Sequence, residues 1–140
     1  MLVMKFGGTS VGSAERIQEV AAIVKNHSNA EPIVVVSAVA GVTNALLELA
    51  KEKNASRRRH MLEALRFKHE QIVEALGLDP TLLDSLFKEL DTLAKKISAS
   101  KRTLDLFVSF GERLSAPLVA GALQKIGIDA KAYPAWELGM

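Results

Sequence analysis

Near its N-terminus the chain has a lysine followed two residues later by a pair of glycines, in the segment Lys5-Phe6-Gly7-Gly8-Thr9-Ser10. We predict that a strand becomes a helix here. A helix N-terminus presents backbone N–H groups and about half a positive charge, so it attracts anions, and glycines let the backbone approach a phosphate closely. Lys5 would add a full positive charge. The spacing fits an anion site and a tight turn with a helix cap equally well.

Neither common glycine-rich phosphate motif is present. No Gly-Lys-Ser/Thr follows the glycines, as a Walker A loop requires, and Gly7, Gly8 and Gly12 lack the spacing of the dinucleotide fingerprint. A dinucleotide-dependent oxidoreductase is therefore the least favoured function class.

Two hydroxyl groups form a second candidate. Ser37 follows the apolar run Ile33 to Val36, and Thr43 lies where the next helix is predicted to begin. In open α/β sheets, ligands bind outside the carboxyl ends of the strands, where both Ser37 and the glycine segment would lie. The residue types alone favour a simpler interpretation, in which both hydroxyls only satisfy neighbouring backbone groups.

A third candidate is the acid in Ser109-Phe110-Gly111-Glu112-Arg113, within a mainly apolar helix. A carboxylate is costly to bury unless a cation meets it, and Arg113 or the ammonium group of a ligand could do so. The alternative, which periodicity alone favours, is an exposed Glu112 in an ordinary surface ion pair.

Composition limits the function classes. The 140 residues are 49% apolar and 24% charged, which suits one globular domain with a buried core. The net charge of +2 is a near balance, unlike the surface of a nucleic-acid binder, and the run Arg57 to His60 is predicted to be a solvated helix face. No apolar run approaches the roughly 20 residues of a membrane span, and Lys5 interrupts the apolar start, so we expect no signal peptide and no membrane partner.

Metal and thiol chemistry are not indicated. The chain has no cysteine, which excludes disulfides, thiolate zinc sites and cysteine nucleophiles and is compatible with a reducing cytosol. The three histidines, His27, His60 and His69, lack metal-ligand spacing. We therefore predict no metal site from the residues.

The elements that must position these groups begin with a βαβ unit. A strand is predicted from Leu2 to Phe6, followed by a helix capped by Ser10 or Ser13. The unbroken β-branched run Ile33 to Val36 is typical of a central parallel strand covered on both faces. The buried face of the helix is predicted to comprise Ile17, Val20, Ala21 and Val24. A right-handed crossover is expected.

Helices dominate the middle of the chain. Thr43 is a candidate N-cap for the next helix, and a longer helix is predicted from Ala55 to Leu76, ended by Gly77. Another helix is predicted to start at Asp79-Pro80 and to carry an apolar stripe as far as Ile97. The two longer helices would form an antiparallel hairpin.

The last third is predicted as turn, helix and strand. Ser98 to Arg102 is a polar turn, and Leu104 to Ile126 is an amphipathic helix in which Pro117 should cause a kink or break near Ala116. Ile128 to Tyr133 alternates like a third strand. The fold class is therefore α/β with a mainly parallel sheet.

The sheet would be narrow, since five or six strands are typical of such domains. The half-apolar stretch Pro134 to Met140, with Trp136 and Leu138, also lacks the polar tail that usually closes a domain. We expect the chain to be the first part of something longer, with no internal domain boundary.

At the three candidate segments the chain resembles the aspartokinases, which are members of the amino-acid kinase family. The matching segments are Lys5 to Val11, Val36 to Asn44 and Ser109 to Ser115. The resemblance covers essentially the whole chain, with the helical hairpin matching in character rather than by motif. Three ordered motifs are far more specific than one, and they favour the ligand-binding interpretation at Ser37, Thr43 and Glu112.

The resemblance implies a three-layer α/β/α fold, present here only in part, and a kinase. The implied reaction moves the γ-phosphoryl group of ATP, with Mg²⁺, onto the side-chain carboxylate of L-aspartate. It gives 4-phospho-L-aspartate, the first step toward lysine, threonine and methionine. A cytoplasmic location and a homo-oligomer of the full-length protein are also implied.

The resemblance also assigns roles to residues. The phosphate side would consist of Lys5, Gly7, Gly8 and Ser10, with Lys5 neutralising the transferring group. The aspartate side would consist of Ser37, Thr43 and Glu112, with Glu112 receiving the ammonium group. These roles suit phosphoryl transfer, which depends chiefly on alignment and charge stabilisation.

The same resemblance implies that residues 1–140 are the substrate side of a catalytic domain, and that the nucleotide-binding half and the regulatory ACT domains lie outside them. We therefore expect little or no kinase activity from this chain alone. Two alternatives stay open: a non-catalytic module that binds a small anion or amino acid, and a kinase with another acceptor such as glutamate or acetylglutamate.

Overall fold

The structure is a computed structural model, and it describes residues 1–96, 101–134 and 137. The regular elements within them are β1 (Val3–Phe6), α1 (Ala14–Lys25), β2 (Ile33–Val36), α2 (Val42–Lys51), α3 (Ala55–Ala75), α4 (Asp84–Ala94) and α5 (Lys101–Lys125), with a short 3₁₀ turn at Ser28–Ala30. The α/β class predicted from the sequence is confirmed.

The two strands form a parallel pair with α1 as the connection. Val3 is in register with Ile33, and Phe6 with Val36. The Ser37 amide donates to the Phe6 carbonyl at 3.0 Å, which extends the pairing by one residue toward the loops. The carboxyl ends of both strands therefore open at the same edge of the sheet.

The two faces of this sheet differ. Met4 and Phe6 alternate with Val3 and Lys5, and the first pair packs against the core while the second pair is exposed. Ile33 to Val35 remain only half-buried. The prediction that the second strand is covered on both faces is therefore wrong for the described residues, because the core packs against one face only.

Helix α1 has its predicted buried face and begins at the second of its two predicted caps. Its four predicted core residues are all buried. The Ser13 hydroxyl accepts a hydrogen bond from the Arg16 amide at 3.2 Å, so Ser13 is the N-cap and Ser10 is not. Residues 7–12 therefore form a separate loop between strand and helix.

Helix α2 begins two residues earlier than predicted. Gly41, with φ of 84°, is its N-cap, and the Gly41 carbonyl accepts from the Ala45 amide at 3.2 Å. The predicted cap Thr43 is wrong, because this bond already places Thr43 inside the first turn. Its hydroxyl is left exposed.

Helix α3 ends as predicted, but α4 starts later than predicted. Leu76 is the C-cap of α3, and Gly77 follows with φ of 68°. Asp79-Pro80 does not begin α4, because the Asp79 carboxylate accepts from the Thr81 amide and hydroxyl, both at 2.8 Å, and holds a turn instead. The helix begins only at Asp84.

Helix α5 is the centre of the core. Phe107, Leu114 and Leu118 are fully buried, and the helix contacts α1, α2, α4 and β2. It is long and apolar enough to cross a membrane by composition, but most of it is buried against these elements, as in the core helix of a globular domain. It continues through Pro117, so of the predicted kink or break the break is absent, because packing on several sides outweighs the lost hydrogen bond.

The regions flanking α5 differ from the prediction. Lys101 and Arg102 belong to the helix rather than to a turn, while 98–100 and Ile97 lie outside the described residues. Trp136 and Leu138 also lie outside them.

The predicted third strand, Ile128 to Tyr133, is irregular and does not join the sheet. Its start bonds back to the end of α5: the Ile128 amide donates to the Leu123 carbonyl at 3.0 Å, and the Gln124 side chain donates to the Ala130 carbonyl at 2.7 Å. These local bonds replace the strand pairing that the alternation predicted.

Candidate functional site

The glycine segment and the loop after β2 meet through their backbones. A Cβ atom built on Gly8 would lie 2.9 Å from the Ala38 carbonyl oxygen and 3.6 Å from the Ala40 Cα. A side chain at Gly8 would therefore displace backbone atoms of the neighbouring loop. Gly8 is required for close approach of the two loops, not for an unusual backbone angle.

Helix α5 reaches the same loop from the other side. A Cβ built on Gly111 would lie 2.6 Å from the Ala38 Cβ. The small side chain of Ala38 is thus enclosed between the glycine segment and α5, and all three sequence motifs meet there. We call this contact of Gly8, Ala38, Ala40 and Gly111 the motif junction.

A buried serine fixes the end of β2 to α5. The Ser115 hydroxyl donates to the Ser37 carbonyl at 2.7 Å, and Ser115 is fully buried. No role was predicted for Ser115 from the sequence, although its place four residues after Gly111 on an apolar helix face is a usable signal. The bond holds Ser37 at the carboxyl end of its strand.

The glycine segment is a tight turn that leaves its first glycine open. The Ser10 amide donates to the Gly7 carbonyl at 3.0 Å, and nothing lies within 4 Å of a Cβ built on Gly7. Among the backbone hydrogen bonds of the described loops, none uses the Gly7 or Gly8 amide as donor. Both amides therefore lack a backbone acceptor among the described loops, and the space beside Gly7 is open, although the N-terminus of α1 lies further along the chain.

The predicted ligand-binding side chains each lie within three residues of a junction residue along the chain, and all are solvent-accessible. Lys5 is exposed on β1, two residues before the turn, and Ser37 and Thr43 are exposed at the two ends of the second loop. Glu112 is exposed directly after Gly111. Within the described residues, none of these four side chains makes a hydrogen bond or an ion pair with the protein.

Glu112 follows neither of the two alternatives drawn from the sequence. It is not buried, and it is not paired with Arg113, whose guanidinium instead contacts the Glu89 carboxylate at 2.6 Å and stacks over the Phe110 ring at 4.5 Å. The ion pair ties α5 to α4. The Glu112 carboxylate is thus left available to an external cation.

A cavity of about 250 Å³ lies beside the second loop, between α2 and α3. Its walls are Gly41, Val42, Ala45, Glu48, Met61, Ala64, Leu65 and Lys68. None of the predicted site residues lines it. This cavity was not predicted from the sequence.

Comparison with known proteins gives a family match over the whole chain. The model of the amino acid kinase family matches residues 1–140. Chloroplastic aspartokinase 1 of Arabidopsis thaliana is 41% identical over 148 residues, which cover 98% of this chain and 26% of that protein. The aspartate kinase of Pseudomonas putida is 45% identical over 135 residues, which cover 95% of this chain and 23% of that protein.

A solved structure of an aspartokinase also matches the chain. The crystal structure of E. coli aspartokinase III in complex with aspartate and ADP superposes with a TM-score of 0.82 at 32% identity. The match covers 94% of this chain and 30% of that one. The chain thus spans about a quarter of the length of the relatives it matches.

Proposed function

This chain belongs to the amino acid kinase family, and we propose that it forms the amino-acid-binding side of an aspartate kinase. The parent reaction transfers the γ-phosphoryl group of ATP to the side-chain carboxylate of L-aspartate, giving 4-phospho-L-aspartate. It would take place in the cytoplasm, in a homo-oligomer of the full-length protein, as the first step toward lysine, threonine and methionine. The named relatives and the neighbour complexed with aspartate and ADP support this assignment.

The motif junction is the observation that carries the proposal. The Ala38 carbonyl meets the glycine turn and the Ala38 Cβ meets Gly111, so the glycine turn, the second loop and the part of α5 next to Glu112 come together. The four exposed side chains around it have no protein partner among the described residues. Unpaired groups of both charges at one strand edge suit a zwitterionic ligand that faces a phosphate.

We assign the phosphate side to the Lys5 ammonium, the free amides of Gly7 and Gly8, and the neighbouring Ser10. The acceptor carboxylate of aspartate is already ionised at neutral pH, so the transfer requires no general base. It requires charge stabilisation and alignment, and a lysine with preorganised amides supplies both. Lys5 neutralises the phosphoryl oxygens as charge spreads over them.

We assign the aspartate side to Ser37, Thr43 and Glu112. The two hydroxyls donate to the carboxylates of the substrate, and the Glu112 carboxylate accepts from its ammonium group. A charge-assisted hydrogen bond of this kind is about twice as strong as a neutral one. Glu112 therefore determines that the ligand is a free amino acid rather than an N-blocked one.

The described residues provide no evident binding site for Mg²⁺. They contain no group of three or more His, Asp or Glu side chains that could hold a metal ion. Mg²⁺ would therefore be held by the nucleotide phosphates and by parts of the full-length enzyme that this chain does not supply. The nucleotide-binding half and the ACT domains would lie there too, so we expect the chain alone to bind aspartate weakly and to release almost no ADP in a coupled assay.

Weak binding is best followed by NMR titration of the ¹⁵N-labelled chain with L-aspartate and with N-acetyl-L-aspartate. We expect the wild type to prefer L-aspartate by at least about tenfold, since the acetyl group removes the charge that meets Glu112. Glu112→Gln should lose most of this preference. Glu74→Gln, which neutralises an exposed acid on α3, is the matched control and should keep it.

Equal binding of the two ligands to the wild type would contradict the role of Glu112. Tighter binding of L-glutamate than of L-aspartate would instead indicate that glutamate is the acceptor, with the site at the same location.

A further inference from the structure

Helix α3 carries none of the three motifs, yet one of its side chains reaches the second loop. The Lys68 ammonium donates to the Ala40 carbonyl at 2.6 Å, between residues 28 positions apart. The short distance is that of a charge-assisted hydrogen bond. The ammonium nitrogen also lies 3.5 Å from the position that a Cβ on Gly41 would take.

Ala40 lies between this ammonium group and the glycine segment. Its Cα is 3.6 Å from the position of a Cβ on Gly8, and its own Cβ is 3.4 Å from that position on Gly12. The Ala40 peptide is therefore held on one side by Lys68 and on the other by the phosphate-side turn. Movement of this peptide would change the spacing between the two loops.

Stabilisation of the α2 helix does not explain the position of Lys68. Gly41 is the N-cap of α2, so the ammonium lies at the helix N-terminus, where the macrodipole makes a cation unfavourable. Tight packing does not explain it either, because Lys68 lines the cavity of about 250 Å³ between α2 and α3. The bond to the Ala40 carbonyl is the contact that accounts for its place.

We propose that Lys68 is a positioning residue of the substrate site, which holds the Ala40 peptide so that Ser37 and Thr43 stay aligned with the glycine turn. The inference deepens the proposed function and rests on it for the identity of the ligand. Lys68 does not touch the substrate. It acts through the loop that carries the two hydroxyls.

The test compares Lys68→Met, which keeps the stem but removes charge and donor, with Lys68→Arg, which keeps both. Lys88→Met makes the same chemical change at an exposed position on α4 and is the control. Amide hydrogen exchange reports on the loop through two bonds, Val42 amide to Val39 carbonyl at 2.9 Å and Ala45 amide to Gly41 carbonyl at 3.2 Å.

We expect Lys68→Met to speed exchange of the Val42 and Ala45 amides about tenfold, as for loss of one charged hydrogen bond. Amides near the C-terminal end of α5, away from the motif junction, and the thermal midpoint should change little. Lys68→Arg should restore most of the protection, and Lys88→Met should leave it unchanged. Unaltered exchange in Lys68→Met would overturn the proposal, whether or not the chain binds aspartate.

Binding separates this inference from the proposed function. If Lys68 positions the site, Lys68→Met should weaken aspartate binding by at least about fivefold, with recovery in Lys68→Arg. Faster loop exchange with unchanged aspartate affinity would also overturn the proposal, because the loop would then not need Lys68 to bind. A wild type without any aspartate binding would count against the proposed function, and the exchange experiment would still decide whether Lys68 holds the loop.

Discussion

Two glycines on helix α5 make similarly close contacts with very different neighbours. A Cβ on Gly111 would lie 2.6 Å from the Cβ of Ala38, which is rigidly attached to the loop after β2. A Cβ on Gly121 would lie 2.8 Å from the Cδ1 atom of Leu78, the far end of a flexible side chain. The middle of α5, which carries Glu112, is thus packed on rigid atoms, and the part near its C-terminus is packed on atoms that can move.

The difference shows which parts of the fold are packed rigidly and which can adjust. Backbone and Cβ contacts at the motif junction leave little freedom, so they fix the distances between groups from three distant segments. At the far end of α5, rotation of Leu78 can relieve a close contact. The same Gly-to-Ala change should therefore have unequal consequences at the two positions.

The largest effect is expected for Gly111→Ala. The added methyl cannot be accommodated without shifting Ala38, and overpacking of this kind costs about 1–3 kcal/mol of unfolding free energy, less up to about 1 kcal/mol gained in helix propensity. Urea denaturation measures the loss, and aspartate binding should be lost with it. A variant as stable as the wild type would show that packing at Gly111 is no more rigid than packing at Gly121.

The second effect is a dependence of stability on pH, which we expect to arise in the helical region rather than at the motif junction. His69 on α3 is fully buried, its Nδ1 atom donates to the Leu65 carbonyl at 2.7 Å, and its ring lies edge-on to Phe87. Its Nε2 atom has no partner among the described residues. Burial lowers the pKa of His69 below its usual value, with a smaller contribution from Lys68.

Because the unfolded chain binds a proton at His69 more readily than the folded chain, stability should be constant above about pH 6.5 and should fall as the pH drops below it, by up to about 1.4 kcal/mol per unit. Urea unfolding at pH 7.5 and 5.5 measures this slope. His69→Leu should remove most of it, whereas His60→Gln, at an exposed position, should keep it. If His69→Leu kept the same dependence of unfolding free energy on pH, another group would be its cause.

A smaller effect is expected for Gly121→Ala. Rotation of Leu78 relieves the contact, and the gain in helix propensity of up to about 1 kcal/mol offsets what remains. The unfolding free energy should stay within about 1 kcal/mol of the wild type in urea. A loss equal to that of Gly111→Ala would mean that Leu78 is as fixed as Ala38.

The smallest effect is expected at the ion pair that joins α4 to α5 beside the junction. The Arg113 side chain is 19% exposed, but the Glu89 side chain is 56% exposed, so water screens the pair. Glu89→Gln should cost less than about 1 kcal/mol by urea unfolding, since the stacking of Arg113 on Phe110 persists. A larger loss would show that this pair, and not the close contact with Ala38 alone, holds the part of α5 that carries Glu112.

Local patterns in the sequence predicted much of the fold. The parallel βαβ unit and the end of α3 at Gly77 were predicted correctly, because strand composition and helix stops are encoded within a few residues. The strand expected at Ile128 to Tyr133 was wrong, since strand formation depends on a pairing partner that alternation cannot show. Thr43 was wrong as a cap because Gly41 occupies that position.

The kinds of residue in the candidate site could be predicted from the sequence, but their spatial arrangement could not. Residue types indicated that Gly7 and Gly8 lie in one tight turn, yet only the structure separates an open Gly7 from a packed Gly8. No periodicity connects Lys68 to Ala40, because their contact depends on how α3 packs beside α2. Contacts between distant segments follow from tertiary packing, which a single sequence does not specify.

The most direct test of the central claim is an NMR titration of the ¹⁵N-labelled chain with L-aspartate, following amides in all three segments at once. The account predicts that amides of Gly8, Ala38 and Glu112 shift with one common midpoint, because a single ligand occupies one site at the motif junction. Shifts confined to one segment, or different midpoints for the three, would contradict it.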